Sequence, residues 1–586
     1  MGSMTSIYVG VSGLTASQIA LNTTTHNLAN VYTEGYTRQL AFSSEGNYNT
    51  HKWTPNGKLQ VGIGTNASST SRVRDILLDL RYRKEIGRQG FYDAQYEVVN
   101  EIENIFGEIE GVQFQDSLEE LWSAITEVAK APDSMVYRAE LVMNAETFID
   151  RAKNIYQETI DYQKNLDSKI ESLVYEINGY ADQIYDLNKK IIAYEAGPEA
   201  ANDYRDQRDL LLDKLSELVN VSYSEESNGF INVMAEGVPF VTGGGVFHIE
   251  TAQLNASDGS TYLSCVWPQL GDKQMFYLNE PVTTANKNDI GTLKGFLLAR
   301  GAFVGDYTEL EKTKPENYDL TTEAGRAEYK DAVDYYNYNI NNCEVLKVQT
   351  LFDNLIHGIV TTINDIMSPT TTTVPDGVTS YTDADGNVYN ATEVKILDTN
   401  TSTGNDGKMP PQELFSREGT PRYIEVTGDD GKTYYMFNEK NVFGTDSLYT
   451  ISNISINSAV QEDYTKLPFR TLEGDNDMAK TQAMVEIWNK TFSNLDPNNM
   501  TQLNFKEYYN EIVYAMGNDG DLYDSISQSQ NDAVIEVEDA RTQVTGVSSE
   551  EELSNMIRFQ SAYNASSRYV TAVAEMLEYL IMKLGA

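Results

Sequence analysis

Cysteine is almost absent from this chain, with Cys265 and Cys343 its only two among 586 residues. A disulfide framework is therefore excluded; a single bridge stays open, free thiols fit better, and neither residue sits in a metal-ligand spacing. Histidine is nearly as rare. His26, His51, His248 and His357 are scattered, without a His-Glu-x-x-His pattern or a Cys-His cluster, so no metal, cofactor or catalytic site is read here. Basic residues number 44 against 87 acidic ones, a formal net charge of −43. Nucleic acid and anionic membrane would both repel such a surface. Apolar runs stop well short of a bilayer span, and no basic segment precedes an apolar stretch in the manner of a secretory signal. Met1-Gly2-Ser3 ahead of Met4 reads as an expression scar, with Met4 as the native start.

What remains is substantial. The length predicts several domains with ample core, and a content of 40% hydrophobic and 10% aromatic residues is too high for a disordered acidic tail. Tyrosine dominates the aromatics, 38 against 19 Phe and 4 Trp, which suits polar protein–protein contacts and β-rich domains alike. Both ends carry heptads. Ile7, Val11, Leu14, Gln18, Leu21, Thr25 and Leu28 alternate spacings of four and three. So do Leu553, Met556, Gln560, Tyr563, Ser567, Val570, Ala574, Leu577, Ile581 and Leu584. Each set draws one apolar seam along a helix, which asks for a partner helix. The polar members cost stability but restrict register, as suits a specific assembly.

Between the ends, residues 116 to 219 read as helix. Ile170, Leu173, Ile177, Tyr180, Ile184, Leu187, Ile191 and Tyr194 form an unbroken stripe spanning about 36 Å. Gly197-Pro198 ends it, and Asn202 or Asp203 is expected to cap the next helix, whose inner face holds Tyr204, Arg208, Leu211, Leu215 and Leu218. Further helices are expected over 335–367 and 478–491. Short alternating runs over 221–281, with turns at Gly243-Gly244-Gly245 and Asp258-Gly259, and over 369–472 predict antiparallel β-structure. Tyr423–Val426 and Thr433–Phe437 flank Asp429-Asp430-Gly431 as a hairpin. Asp383-Ala384-Asp385-Gly386-Asn387 has its glycine too early for a calcium loop and reads as a turn. Gly62-x-Gly64 lacks the third glycine of a dinucleotide fingerprint. Arg72, Arg74, Arg81, Arg83, Lys84 and Arg88 form a basic cluster against the acidic background. It fits either a solvated face paired with Asp75, Asp79 and Glu85 or a contact with an acidic neighbouring subunit.

The expected fold is thus α+β and multidomain, a discontinuous helical core with terminal coiled-coil helices and inserted antiparallel β domains. Its expected segments are 1–60 (N-terminal helix and extended stretch, pairing with 545–586), 61–220 (helical core), 221–300 (β-rich), 301–368 (helical return), 369–475 (inserted β-rich domain), 476–544 (helical return) and 545–586 (C-terminal helix).

Residues Ala20 to Gln39 resemble the N-terminal motif of the bacterial flagellar rod, hook and hook-associated axial proteins, usually Ala-Asn-Val-Asn-Thr-Pro-Gly-Tyr-Ser-Arg-Gln. Asn30, Val31, Thr33, Gly35, Tyr36, Arg38 and Gln39 match it, whereas Tyr32, Glu34 and Thr37 depart. Ser548 to Leu553, then Phe559-Gln560-Ser561-Ala562-Tyr563-Asn564-Ala565 and Glu575-Met576-Leu577, resemble the C-terminal motif of the same family. Asn202-Asp203-Tyr204-Arg205-Asp206-Gln207-Arg208-Asp209 is similar to the hook-associated members at the hook–filament junction. The resemblance implies a structural subunit without enzymatic activity, exported by the flagellar secretion system without a cleaved signal peptide and assembled outside the cell through its terminal helices. It implies as partners further copies of itself, hook protein, a second junction protein (hook-associated protein 3) and an export chaperone. Two other readings stay open: another axial subunit of hook or distal rod, and a surface adhesin or glycan-binding protein using residues 369–475.

Overall fold

The computed structural model describes residues 2–584 apart from 55–56, 108–113, 198, 254–261, 439–447 and 500. The Asp258-Gly259 turn, Pro198 and the side chains of His51 and Leu584 lie outside the described residues. The chain opens with helix α1 (Gly2–Ala29), turns at Gly35, and runs into a ribbon in which Gln39–Glu45 pairs antiparallel with Thr65–Arg72. Tyr48–Thr54 and Gly57–Gly62 form its distal hairpin. Gly35 has φ +74°, and an added Cβ there would lie 3.1 Å from Leu210, so both conformation and space call for glycine.

Four long helices follow. They are α2 (Ile76–Phe106), α3 (Phe114–Lys130), α4 (Met135–Glu195) and α5 (Asn202–Leu218). Asp75 caps α2 by accepting from the amides of Leu77 and Leu78, and Gly107 closes it in the left-handed conformation. The 61 residues of α4 make a rod about 90 Å long at the usual rise. Its stripe Ile170, Ile177, Ile184, Leu187 and Ile191 is buried, and α5 packs back on it, giving the expected hairpin. Ala201, not Asn202 or Asp203, occupies the cap position of α5. The two polar side chains are engaged elsewhere, as described below.

A four-stranded meander (Val221–Glu225, Ile231–Ala235, Val238–Thr242, Gly245–Val246) and a three-stranded sheet (Glu250–Gln253, Leu263–Trp267, Lys273–Gln274) come next. Helices α6 (Thr292–Arg300), α7 (Thr308–Glu311), α8 (Glu323–Asn339) and α9 (Glu344–Met367) return to the core. One helix was expected over 335–367; the chain instead breaks at Ile340–Cys343. Asn337, Asn339, Asn341 and Asn342 crowd this point, and asparagine side chains compete with helical backbone bonds. Ile340 and Cys343 are both buried there.

Residues 369–475 do not share one core. A six-stranded sheet, ordered Thr370–Thr371, Ile396–Leu397, Thr433–Phe437, Tyr423–Gly428, Ser380–Asp383, Val388–Asn390, gathers a small cluster of Val378, Tyr381, Ala391, Ile396, Val426 and Met436. Leu414, Phe415, Ile451, Ile454, Leu467 and Phe469 join the main core instead. The Tyr423–Gly428 and Thr433–Phe437 hairpin forms as expected, and Asp383 accepts the amides of Asp385 and Asn387 to make a turn. Helices α10 (Ser458–Glu462), α11 (Met478–Glu486), α12 (Phe505–Thr545) and α13 (Ser549–Leu584) complete the chain. A capping box of Asn504 and Glu507 starts α12.

Candidate assembly interface

Helices α1 and α13, from opposite ends of the sequence, pack against each other antiparallel. Gly10 lies against Val570 and Tyr569, Gly13 against Ser566, and Asn27 bonds Glu552. The helix axes come close because small residues face the partner: a Cβ on Gly10 would meet Val570 Cγ2 at 2.6 Å. Among the described side chains of α1, Gly10, Ala20, Thr24 and Asn27 are the buried positions. Ile7, Leu14, Leu21 and Leu28 of the sequence-read seam are half-buried, and Val11 is 46% exposed. On α13, Met556, Tyr563, Val570 and Leu577 are half-buried, while Leu553 and Ile581 are exposed. Ile557, Met576, Leu580 and Met582 extend that exposed apolar surface. The pair thus sets small residues of α1 against larger side chains of α13 such as Val570, and leaves Val11, Leu553, Ile557, Met576, Leu580, Ile581 and Met582 exposed.

A polar junction fastens this pair to the helical core, and the motif residues build it. Asn27, 1% exposed, donates to the Gln39 carbonyl at 2.9 Å and to Glu552 at 3.2 Å. Its Oδ1 accepts from Tyr36 OH at 2.8 Å and from the Gln39 amide at 3.0 Å. Arg38 donates to Glu552 at 2.9 Å and pairs with Glu551 at 3.0 Å. Ser548 Oγ accepts from the Glu551 amide to cap α13, which leaves the Glu552 carboxylate for Arg38 and Asn27. Gln39 donates to Asp203 and accepts from Asn202, so these two side chains tie α5 to the motif rather than capping their own helix. The Thr37 amide donates to Asp206 at 3.1 Å.

The basic cluster divides in two. Arg72 donates to Asp206 and Asp209 at 2.8 and 2.7 Å, and Arg74 to Asp79 and Asp209. Arg83, buried, donates to Asp213 at 2.6 Å and lies 4.7 Å over the Tyr223 ring. Arg88 pairs with Asp289 at 3.0 Å. Arg541 of α12 closes the network on Asp213 and Asp79. Arg81 and Lys84 are exposed, Lys84 standing 3.9 Å from Glu85. Burial would raise the Asp209 carboxyl, yet the guanidinium groups of Arg74, Arg72 and Arg83 hold it down at about 2. Burial and the nearby Asp203, Asp206 and Glu552 push the Tyr36 phenol up, keeping it a proton donor.

Reasoning from sequence missed Asn27, Glu552, Asp206, Asp209, Asp213 and Arg541. Asp206, Asp209 and Asp213 carried a signal: spacings of three and four put them on one face of α5, a match for arginines elsewhere. The three histidines with described side chains have partners within the chain. His26 lies 3.4 Å from Asp203 and edge-on to Tyr36, and His248 lies 3.0 Å from Asp182. His357 stacks on Tyr307 at 3.5 Å, and burial drives its pKa to about 4. Among the described residues no group of His, Cys, Asp and Glu is arranged to hold a metal, and no helix is long and apolar enough to cross a membrane.

Comparison with known proteins places these features. Residues 99–317 match the family model "Flagellar hook-associated protein FlgK helical domain", 7–37 match "Flagella basal body rod protein", and 541–583 match "Flagellar basal body rod FlgEFG protein C-terminal". The chain is 24% identical to flagellar hook-associated protein 1 of Bacillus subtilis, with 99% of each chain covered. Identity to the protein of that name from Salmonella typhimurium is 24%, covering 97% of this chain and 98% of the relative. A solved structure of the flagellar hook junction protein FlgK from Burkholderia pseudomallei aligns over 79% of this chain and 100% of its own, with 14% identity and a TM-score of 0.47.

Proposed function

The chain belongs to the flagellar hook-associated protein 1 family, and we propose that the α1–α13 pair is the element through which it builds the junction between hook and filament. It is a structural component of the bacterial flagellum, and the work asked of it is mechanical: to hold copies in register and present different surfaces to the segments on either side. The observation that carries the reading is the pairing of the two chain ends. Each copy closes its own two-helix unit where Val570 meets Gly10, and Ile7, Val11, Leu14, Leu21 and Leu28, with Leu553, Met556, Tyr563, Leu577 and Ile581, supply the apolar material for packing against neighbouring copies.

Hook protein lies on one side of the ring so formed, and a second junction protein on the other. An export chaperone covers the apolar C-terminal helix before secretion, and the subunit is delivered to the cell exterior by the flagellar secretion system. No chemistry is assigned to it. Arg81 and Lys84, the exposed members of the basic cluster, are available to an acidic neighbour; Arg72, Arg74, Arg83 and Arg88 are engaged within the chain.

The test is a double substitution, Leu580→Asp with Ile581→Asp, on residues whose exposure leaves the fold intact. Flagellated cells carrying it are expected to retain hooks, lose filaments and shed unpolymerised filament subunit into the medium. Filaments of normal number and length would refute the proposal.

A further inference from the structure

The first two turns of α2 carry an open apolar face with cations along one side. Ile76, Leu77 and Leu80 are 67%, 77% and 47% exposed. Helical spacing puts Ile76 and Leu80 on one edge of this face and Leu77, Arg81 and Lys84 on the other. Lys84 stands 3.9 Å from Glu85, whereas Arg81 engages no carboxylate of its own chain among the described residues. Beyond the Ile76 edge runs a groove whose four arginines and five carboxylates nearly cancel. The uncompensated charge beside the apolar face is therefore that of Arg81, in a chain where acidic residues outnumber basic ones 87 to 44.

Such a face fits a second helix that borders its own apolar pair with a carboxylate. Ile76 and Leu80 stand four residues apart. Outside α2, the described helices expose two pairs of large apolar side chains at that spacing, Leu553 with Ile557 and Met576 with Leu580, both on α13. Glu550 precedes the first pair by one turn and shares its face. Of the three glutamates that open α13, Glu551 and Glu552 are held by Arg38, while Glu550 makes no ion pair among the described residues. Arg558, the nearest cation on α13, lies about 100° round the helix from Ile557, over the Phe559 ring. The Met576 pair sits about 34 Å farther from the junction, whereas α2 and α13 both begin beside it, where Arg541 holds Asp79 and Arg38 holds Glu552. Both faces are exposed in the same chain, so neither covers the other within one copy. We infer that Leu553 and Ile557 of one copy seat on Ile76, Leu77 and Leu80 of the next, with Glu550 against Arg81. From the junction α13 runs into the terminal pair and α2 into the core, so the two copies are staggered along the axis, as a heterologous contact in a helical array requires. This contact rests on the reading of the chain as a self-assembling flagellar subunit and names the acidic neighbour of Arg81.

The experiment co-expresses two single variants, Leu77→Cys and Ile557→Cys, in flagellated cells and oxidises the purified flagella. Cys265 and Cys343 are buried and contribute little background. The expected product is a dimer whose linked peptides join position 77 of one variant to position 557 of the other. Flagella that contain both variants but yield no such link, or a link formed only when Met576→Cys replaces Ile557→Cys, would overturn this contact alone. Flagella lacking the parent chain altogether would overturn the self-assembly reading, and this contact with it. Charge reversal gives a second readout. Arg81→Glu sets two carboxylates face to face and is expected to lower incorporation into flagella at least tenfold, and Glu550→Arg in the same chain is expected to restore it. Both side chains are exposed, so the soluble variants stay folded, which circular dichroism checks. Incorporation of Arg81→Glu equal to the parent, or no recovery in the doubly substituted chain, would refute the contact.

Discussion

Replacing Glu552 with alanine is expected to detach the terminal helix pair from the core without unfolding the rest of the chain. The Glu552 side chain is 2% exposed and satisfies Arg38 on one oxygen and Asn27 on the other. A hydrogen bond to a charged group contributes about 1.5–3 kcal/mol, and removing one partner of a buried pair costs about 3–5 kcal/mol. Arg38 is one-fifth exposed and keeps Glu551, so the loss belongs at the lower end, about 3 kcal/mol. That corresponds to an increase of roughly a hundredfold in the population of the undocked pair. Hydrogen exchange followed by mass spectrometry reads this directly, as faster exchange over 5–29 and 549–580 with no change in α4 or α9. Glu551→Ala is the control: Glu551 is 63% exposed, and the substitution is expected to cost less than about 1 kcal/mol. Equal exchange in the two variants would refute the assignment of Glu552 as the fastening residue.

Three further outcomes follow from the packing of the terminal pair and from two buried carboxyls. Gly10→Val puts a side chain where even a Cβ meets Val570 at 2.6 Å, so α1 and α13 separate and limited proteolysis should remove both ends of the soluble chain, leaving a core of about residues 60 to 545. Asp209 titrates lower in the folded chain than in the unfolded one, so its stabilising effect, about 2 kcal/mol, is present above pH 4 and is lost as pH falls toward 2. Asp209→Asn should therefore be less stable than the parent at pH 7 in urea, with the gap narrowing below pH 4. Asp353 behaves oppositely: burial raises its carboxyl to about 8, so its stabilising contribution is full below about pH 4 and is lost as pH rises to 8. The stability difference between Asp353→Asn and the parent should shift toward the variant from pH 5 to pH 8, and a difference independent of pH would refute the assignment.

Periodicity read the helices well because their apolar positions are also their buried positions, as along Ile170 to Ile191. It read the terminal seams less well. In α1 the partner-facing stripe is Gly10, Gly13, Ala20, Thr24 and Asn27, and small or polar residues leave no hydrophobic signature even where they pack most closely. The interior of α8–α9 was misjudged because asparagine spacing, not apolar spacing, decides where that helix breaks. The junction network depends on side chains up to 525 residues apart, as with Asn27 and Glu552, and spacing within one helix cannot reveal a partner on another. The motif residues nevertheless pointed to it, since Tyr36, Arg38 and Gln39 sit where α1, α5 and α13 converge.

The antiparallel α1–α13 pair also sets a condition on timing. Its two halves lie far apart in the sequence, with bonded residues such as Asn27 and Glu552 separated by 525 positions. Closing so long a loop in an unstructured chain costs roughly 5–6 kcal/mol more than closing a minimal one, which favours a core that folds first and brings the ends together. Whichever helix is available first, the pair can close only once both α1 and α13 are present. A chain cut short anywhere before α13 leaves the glycine stripe of α1 without its partner, so completion of the pair reports that α13 has been made and delivered.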